Sequence, residues 1–350
     1  MKKIVISFFI LIFLSLSGCS IKPTPEPLPI SVTSNLSLLQ ENPQFVMYIN
    51  FSNMRRTKFW EKNISDSLLN AEKTFGSLLN TFKEATGASI SNGIDELYYS
   101  NSWFGENAIV LKGIFKRDNL DKFIEKDSLF AVTKFTDGTK IYIKNDNGLY
   151  FYFKDDFTIC ASNYLKQIDV MLLAKDTTKS GLLLNEEVYN SIQNIIYKEN
   201  LWMVSNEKLF IRGIFQNFLE STSNRMFDTG DSTENKTDTV NTDEKPNIVN
   251  LYKKLKSVSF SAKMDEDLKF LAQGECINDE SSKYLKSIIS GLITVGKLKS
   301  AENKNRNKES LLDHISLDRY DNSVFVEIAI DEKSLNDLKK IELMNDPGEE

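Results

Sequence analysis

The chain predicts an α+β protein built from two ferredoxin-like (βαββαβ) repeats, with antiparallel sheets and helices packed on one face. Three observations carry this reading. Short alternating apolar runs are joined by tight turns, of which Asp137-Gly138 is the strongest two-residue hairpin signal. Longer runs with apolar residues at helical spacing separate them. The same succession then occurs twice: Asp321-Asn322 stands in the second half where the first has Asp137-Gly138, and Gly113 and Gly274 each fall at the end of a third strand.

In the first half, Phe45 to Ile49 reads as a strand, and Ser52 or Asn53 caps a helix reaching about Phe82, with Phe59, Trp60, Ile64, Leu68 and Leu69 near helical spacing. Gly87 and Gly93 break the pattern. Ile94 to Ser100 and Asn107 to Phe115 alternate as two strands joined through Trp103-Phe104-Gly105, and Asp118 caps a short helix carrying Leu120, Phe123 and Ile124. Strands follow at Leu129 to Phe135, Lys140 to Lys144 and Leu149 to Phe153, the last entered through Asn147-Gly148. Phe157 to Cys160 leads to a helix over Tyr164 to Leu173.

The second half repeats this order. Leu201 to Val204 is a strand, and Ser205 or Asn206 caps a helix carrying Leu209, Phe210, Ile214, Phe215 and Phe218. Strands at Val258 to Lys263 and Leu268 to Cys276 precede a helix with Tyr284, Leu285, Ile288, Ile289 and Leu292. Ile315 to Tyr320 and Ser323 to Ile330 form the next hairpin, and a final helix starts near Ser334. The expected organisation is repeat 1 over 43–175, a connecting segment over 176–199 and repeat 2 over 200–345. The stretch 228–247, rich in Ser, Thr, Asn, Asp and Glu, is expected to be a disordered acidic insertion within repeat 2.

Composition narrows the function classes. With 41% hydrophobic and 26% charged residues in 350, the chain can bury a real core. A net charge of -6 disfavours nucleic acid or an anionic lipid surface as partner, since both demand clustered Lys and Arg. His314 is the one histidine of the chain, which removes most zinc and triad chemistry. No cofactor, metal or catalytic residue is expected. Cys160 and Cys276 read as two buried free thiols, with a disulfide between them as the alternative.

Three motif fragments approach known chemistry. Gly291-Leu292-Ile293-Thr294-Val295-Gly296-Lys297-Leu298 approaches a phosphate-binding loop, but Leu298 cannot supply the magnesium-binding hydroxyl and the stretch continues a helix. Ser205-Asn206-Glu207-Lys208 has the S-x-x-K spacing of penicillin-recognising enzymes, with Lys179-Ser180-Gly181 faintly like their K-T-G, but in reversed order and without S-D-N between. Asp95, Glu96 and Glu106 flank Tyr98, Tyr99, Trp103 and Phe104, the composition of a sugar site served by two carboxylates. Aromatics favoured in strands and acids common in turns account for it better.

The N-terminus carries the sharpest signal. Lys2 and Lys3 form a positive region, Ile4 to Leu16 an apolar one too short to span a bilayer, and Leu16-Ser17-Gly18-Cys19 closes it. This resembles the lipobox of bacterial lipoproteins. The resemblance implies that residues 1–18 are a signal peptide, that the Cys19 thiol receives a diacylglyceryl group, and that the new α-amine of Cys19 is acylated as well. Two or three chains give stable anchoring where one does not. Ser20, where many inner-membrane lipoproteins carry Asp, points to the outer membrane in an organism that has two membranes. Residues 19–42, with Pro23, Pro25, Pro27 and Pro29, are expected to form a semi-rigid tether.

The strand and helix layout also resembles uncharacterised bacterial secreted families of unknown function; that likeness transfers no site. The expectation is a membrane-anchored lipoprotein with a non-catalytic binding or structural ectodomain in the cell envelope. Its partner would be an envelope protein or glycan and not nucleic acid. The alternatives are a carboxylate-dependent envelope glycan hydrolase and an apolar-ligand carrier.

Overall fold

The computed structural model describes residues 22–64, 77–146, 148–174, 179–214, 216, 248–302 and 311–335. Their twelve strands are β1 (Phe45–Asn50), β2 (Ile94–Asn101), β3 (Asn107–Gly113), β4 (Phe130–Lys134), β5 (Lys140–Lys144), β6 (Leu149–Asp155), β7 (Thr158–Ser162), β8 (Leu201–Ser205), β9 (Leu255–Met264), β10 (Leu268–Cys276), β11 (Ile315–Tyr320) and β12 (Ser323–Ile330). All twelve join one sheet in the order β11-β12-β10-β9-β8-β1-β2-β3-β7-β6-β5-β4. The α+β class and the antiparallel pairing are as the sequence predicts.

The ferredoxin-like order is not what the strands adopt. A split βαβ unit needs two parallel strands with a third between them. Here β1 pairs antiparallel with β2 across the helical connection, and every neighbouring pair in the sheet is antiparallel in turn. The halves meet at a seam where Val46, Met47, Tyr48 and Ile49 of β1 face Val204, Met203, Trp202 and Leu201 of β8. From that seam the order runs β1-β2-β3-β7-β6 one way and β8-β9-β10-β12-β11 the other. The spatial counterpart of the β11–β12 hairpin is therefore β6–β7, and β4–β5, with its Asp137-Gly138 turn, is an extra hairpin at the edge.

Helices cover both faces of the first half, not one. On one face Tyr48, Tyr98, Val110, Tyr152, Cys160 and Trp202 pack with Val32 and Leu36 of the helix Ile30–Leu36, Ile168 and Met171 of Leu165–Leu173, and Val188 and Ile192 of Glu186–Gln193. On the other, Ile49, Leu97, Leu111, Phe151, Phe153 and Ile159 pack with Leu79 and Ala85 of Ser77–Thr86 and with Leu120 and Ile124 of Arg117–Ile124. Strands apolar on both sides, such as Leu149-Tyr150-Phe151-Tyr152-Phe153, require two covered faces. In the second half one face holds Leu255, Val258, Cys276, Leu285 and Val324 under the helix Asp279–Glu302. The other is sparse in apolar residues, with Ile196, Leu271 and Phe325 beside buried Ser257, Ser259, Ser261 and Gln273.

Two segments differ from their expected role. Residues 30–39, expected within the tether, are folded: the helix Ile30–Leu36 starts behind Pro29, whose preset φ suits a helix entry, and Leu36, Leu38 and Leu39 are fully buried. Residues 179–199 are core and not a plain connection. Gly181, at φ +51, lets the backbone lie against the carbonyls of Ser37 and Leu39, and Leu182, Val188, Ile192 and Ile195 join the first core. The expected long first helix is divided into Phe51–Arg55, capped by the Asn50 side chain, and Lys58–Asn63, capped by Thr57; Ser77–Thr86 follows. The expected insertion at 228–247 lies outside the described residues.

Candidate functional site

A proline-spaced segment would ordinarily stay solvated, yet residues 22–29 are pinned to the second half of the sheet. Glu26 is the pin. Its carboxylate accepts the main-chain N–H of Lys198 at 2.6 Å and pairs with the Lys263 ammonium at 3.2 Å. Its own N–H donates to the Ile196 carbonyl at 3.0 Å. The Lys198 ammonium, 2% exposed, donates to the main-chain oxygens of Glu26 and, at 2.9 Å, of Gln193. Burial lowers the Lys198 pKa to about 8, against the opposing pull of the Glu26 carboxylate. Four residues earlier, Lys22 pairs with Asp321 at 2.6 Å in the β11–β12 turn.

That turn sits at a hydrogen-bonded corner. Asn322 accepts the N–H of Cys276 at 2.8 Å, and Lys254 accepts that of Ile277 at 2.9 Å. Arg319 reaches Asp279 and the Asp321 carbonyl, while the Ser282 hydroxyl donates to the same carbonyl at 3.0 Å. The Lys254 ammonium lies over the Tyr284 ring, 4.6 Å from its centroid. Asp321 takes φ 49, a left-handed value for which Asp is one of the more tolerant residues.

Cys19, the one residue to which the sequence assigns a modification, lies outside the described residues. The carboxylates considered for glycan chemistry are dispersed. Asp95 pairs with Arg55 at 2.6 Å, Glu96 accepts the Tyr98 hydroxyl at 2.6 Å, and Glu106 accepts the Ser102 hydroxyl at 3.2 Å. Asp95 and Glu106 stand at opposite ends of β2, roughly 20 Å apart at the rise of an extended strand, where a carboxylate pair acting on a glycosidic bond needs about 5–10 Å. Trp103 donates to Glu207 at 3.1 Å, and Phe104 is exposed beside it.

The other fragments are structural. Ser205 ends β8 and donates to the Gln44 carbonyl, while Lys208 donates to that of Leu255, so neither is available as nucleophile or base. Gly291 and Gly296 lie within the helix Asp279–Glu302, with no loop to cradle a phosphate. Cys160 and Cys276 are free and buried; burial pushes their thiols up to about 12 and about 11. Tyr48 and Tyr98, tilted against each other in the core with ring centroids 4.9 Å apart, have their hydroxyl pKa values raised far above the usual range by burial, Glu96 adding to it. Among the described residues no cluster of His, Cys, Asp and Glu could hold a metal ion.

The Glu26, Lys198 and Lys263 contacts are the ones the sequence reading missed. One signal was present: Val32, Leu36 and Leu39 fall at i, i+4 and i+7 directly behind Pro29, the spacing of a helix face. It shows that the chain folds well before Pro43. The pairing of Glu26 with lysines far along the chain has no local signature.

No family model matches the chain, and no curated protein does. Among solved structures, crystal form III of TP0453 aligns with a TM-score of 0.45 and 11% identity over 92% of this chain and 99% of that one. Crystal form I gives 0.45 and 10% over 92% and 97%, and crystal form IV gives 0.40 and 8% over 91% and 97%. At these values the likeness extends along nearly the whole of both chains but carries no argument about function.

Proposed function

We propose that this chain is a bacterial lipoprotein held on the membrane by acyl chains on Cys19, in the outer membrane where the organism has two, with an ectodomain that binds or supports another envelope component and performs no catalysis. The run Leu16-Ser17-Gly18-Cys19 behind Lys2, Lys3 and the apolar Ile4 to Leu16 carries the proposal. Among the described residues no helix is long and apolar enough to cross a membrane, so lipid on Cys19 is the attachment the reading calls on. The partner is an envelope protein or glycan. The separation of Asp95 from Glu106 speaks against the glycan hydrolase.

Cys19→Ala tests it directly. The variant is expected to leave the membrane fraction and to lose incorporation of labelled palmitate, both measured on fractionated cells. Continued sedimentation with membranes and undiminished label would reject the lipoprotein reading.

A further inference from the structure

The clamp at Glu26 and the corner at Asp321 have a directional meaning, resting on the lipid anchor at Cys19 proposed above. Seven positions separate Cys19 from Glu26 in the numbering, and an extended chain covers at most about 3.3–3.6 Å per position, so the anchor lies within roughly 25 Å of the clamp. Three separate it from Lys22, so with the Lys22–Asp321 pair closed it lies within roughly 11 Å of that residue. The pair is exposed on both sides and so opens readily; Glu26 sets the firm limit.

From Glu26, beside Lys263 near the far end of β9, the chain heads towards Asp321 at the other end of the same strands. Register shows this: Lys263 faces Lys269 near the start of β10, while Glu275 faces Ser323 beside the β11–β12 turn. The chain therefore leaves the body at the end of β10 that carries Cys276.

We infer that the ectodomain sits on the bilayer by this corner, with Ile277 and the β11–β12 turn facing the lipid headgroups and the β9–β10 turn at Asp265–Asp267 pointing away. Ile277 is half exposed at the tip of β10. Around it stand Lys253 and Lys254, with Tyr252 and Tyr284 beneath their ammonium groups. Lysines, tyrosine rings and an exposed apolar residue gathered on one corner form a surface suited to the membrane interface. Asp279, Glu280 and Asp321 share the corner with Lys22 and Lys283. The mixed charge fits a zwitterionic headgroup layer and not an anionic one.

Both ends of β10 can be read in one experiment. Single cysteines are placed by Ile277→Cys and, at the exposed far end, Asp267→Cys, in the mature lipidated protein, where Cys160 and Cys276 are buried and spared by thiol labels. The two sites stand about 30 Å apart along one strand. Each is labelled with a fluorescent maleimide and the protein is reconstituted in phosphatidylcholine vesicles carrying nitroxide on the headgroup. The label at 277 is expected to be quenched several-fold more than that at 267.

Equal quenching, or the reverse order, with the protein still floating with the vesicles, overturns the orientation and leaves the anchor reading intact. Loss of flotation overturns both. Circular dichroism matching the parent chain confirms that each variant is folded.

Discussion

Glu26→Gln removes one charge and almost no volume, so it isolates what the carboxylate does at the clamp. The variant keeps an acceptor for the Lys198 N–H but loses the charge-assisted character of a 2.6 Å bond and the pairing with Lys263 at 3.2 Å. Hydrogen bonds to charged groups contribute about 1.5–3 kcal/mol, and the partly exposed Lys263 pair adds about 1 kcal/mol at most. The expected loss is thus about 2–3 kcal/mol at pH 7, measured as the shift in a urea unfolding curve. The pH dependence identifies the cause. Lys198 has its folded pKa lowered to about 8 from 10.5, so between those values the unfolded chain holds the extra proton and this group's contribution to stability rises with pH. Without Glu26 the folded pKa falls further and the rise begins at lower pH. The gap between parent and variant should be widest below the variant's lowered Lys198 pKa, shrink from there to about pH 8 and stay level above it. A gap under about 0.5 kcal/mol at pH 7, or one that widens from pH 7 to 9.5, would refute the account of the clamp.

Three further outcomes are expected. Trp202→Ala empties the seam beside Tyr48, where the ring centroids lie 5.6 Å apart, and should cost about 3–5 kcal/mol; both halves should still melt in one transition by circular dichroism, and two separated transitions would contradict the shared sheet. Gly181→Ala would place a methyl 2.3 Å from the Leu39 carbonyl oxygen at φ +51, so a loss of at least about 1 kcal/mol is expected in thermal unfolding; a variant as stable as the parent would show that this approach is relaxed. Cys160 and Cys276 should resist maleimide at pH 8 in the native protein and both react in urea, and intact mass without reductant should correspond to two thiols; labelling of the native protein would place either one nearer the surface.

The sequence was most legible where pairing is local. The hairpin Ile315–Tyr320 and Ser323–Ile330 has the bounds its alternation predicts; the chain also reverses at Asp137-Gly138, but through a loop one residue longer than the two-residue turn expected, closed by the Phe135 N–H on the Thr139 carbonyl with Gly138 at φ 89. Strand order was not legible, because β1 chooses β2 and β8 through contacts far along the chain and no residue of β1 encodes that choice locally. The covering of both faces could have been read from the unbroken apolar run at Leu149 to Phe153. At the site, neighbours in sequence misled: Asp95 and Glu106 flank the same aromatics yet lie at opposite ends of a strand, whereas Glu26 and Lys198 meet from distant positions. The dispersal of the first group and the assembly of the second have one cause, that a strand separates residues close in sequence while a sheet gathers those far apart.

The seam between β1 and β8 also bears on timing. Tyr48 is buried against Trp202, so the first strand to emerge cannot complete its pairing until residue 201 has followed. Such long-range pairing folds slowly, since loop closure must precede its reward. On the lipoprotein reading proposed above, in which the chain is threaded through a membrane, that delay is useful: the first strand would stay open on one edge during export, and the sheet would close at its centre only once most of the chain had arrived.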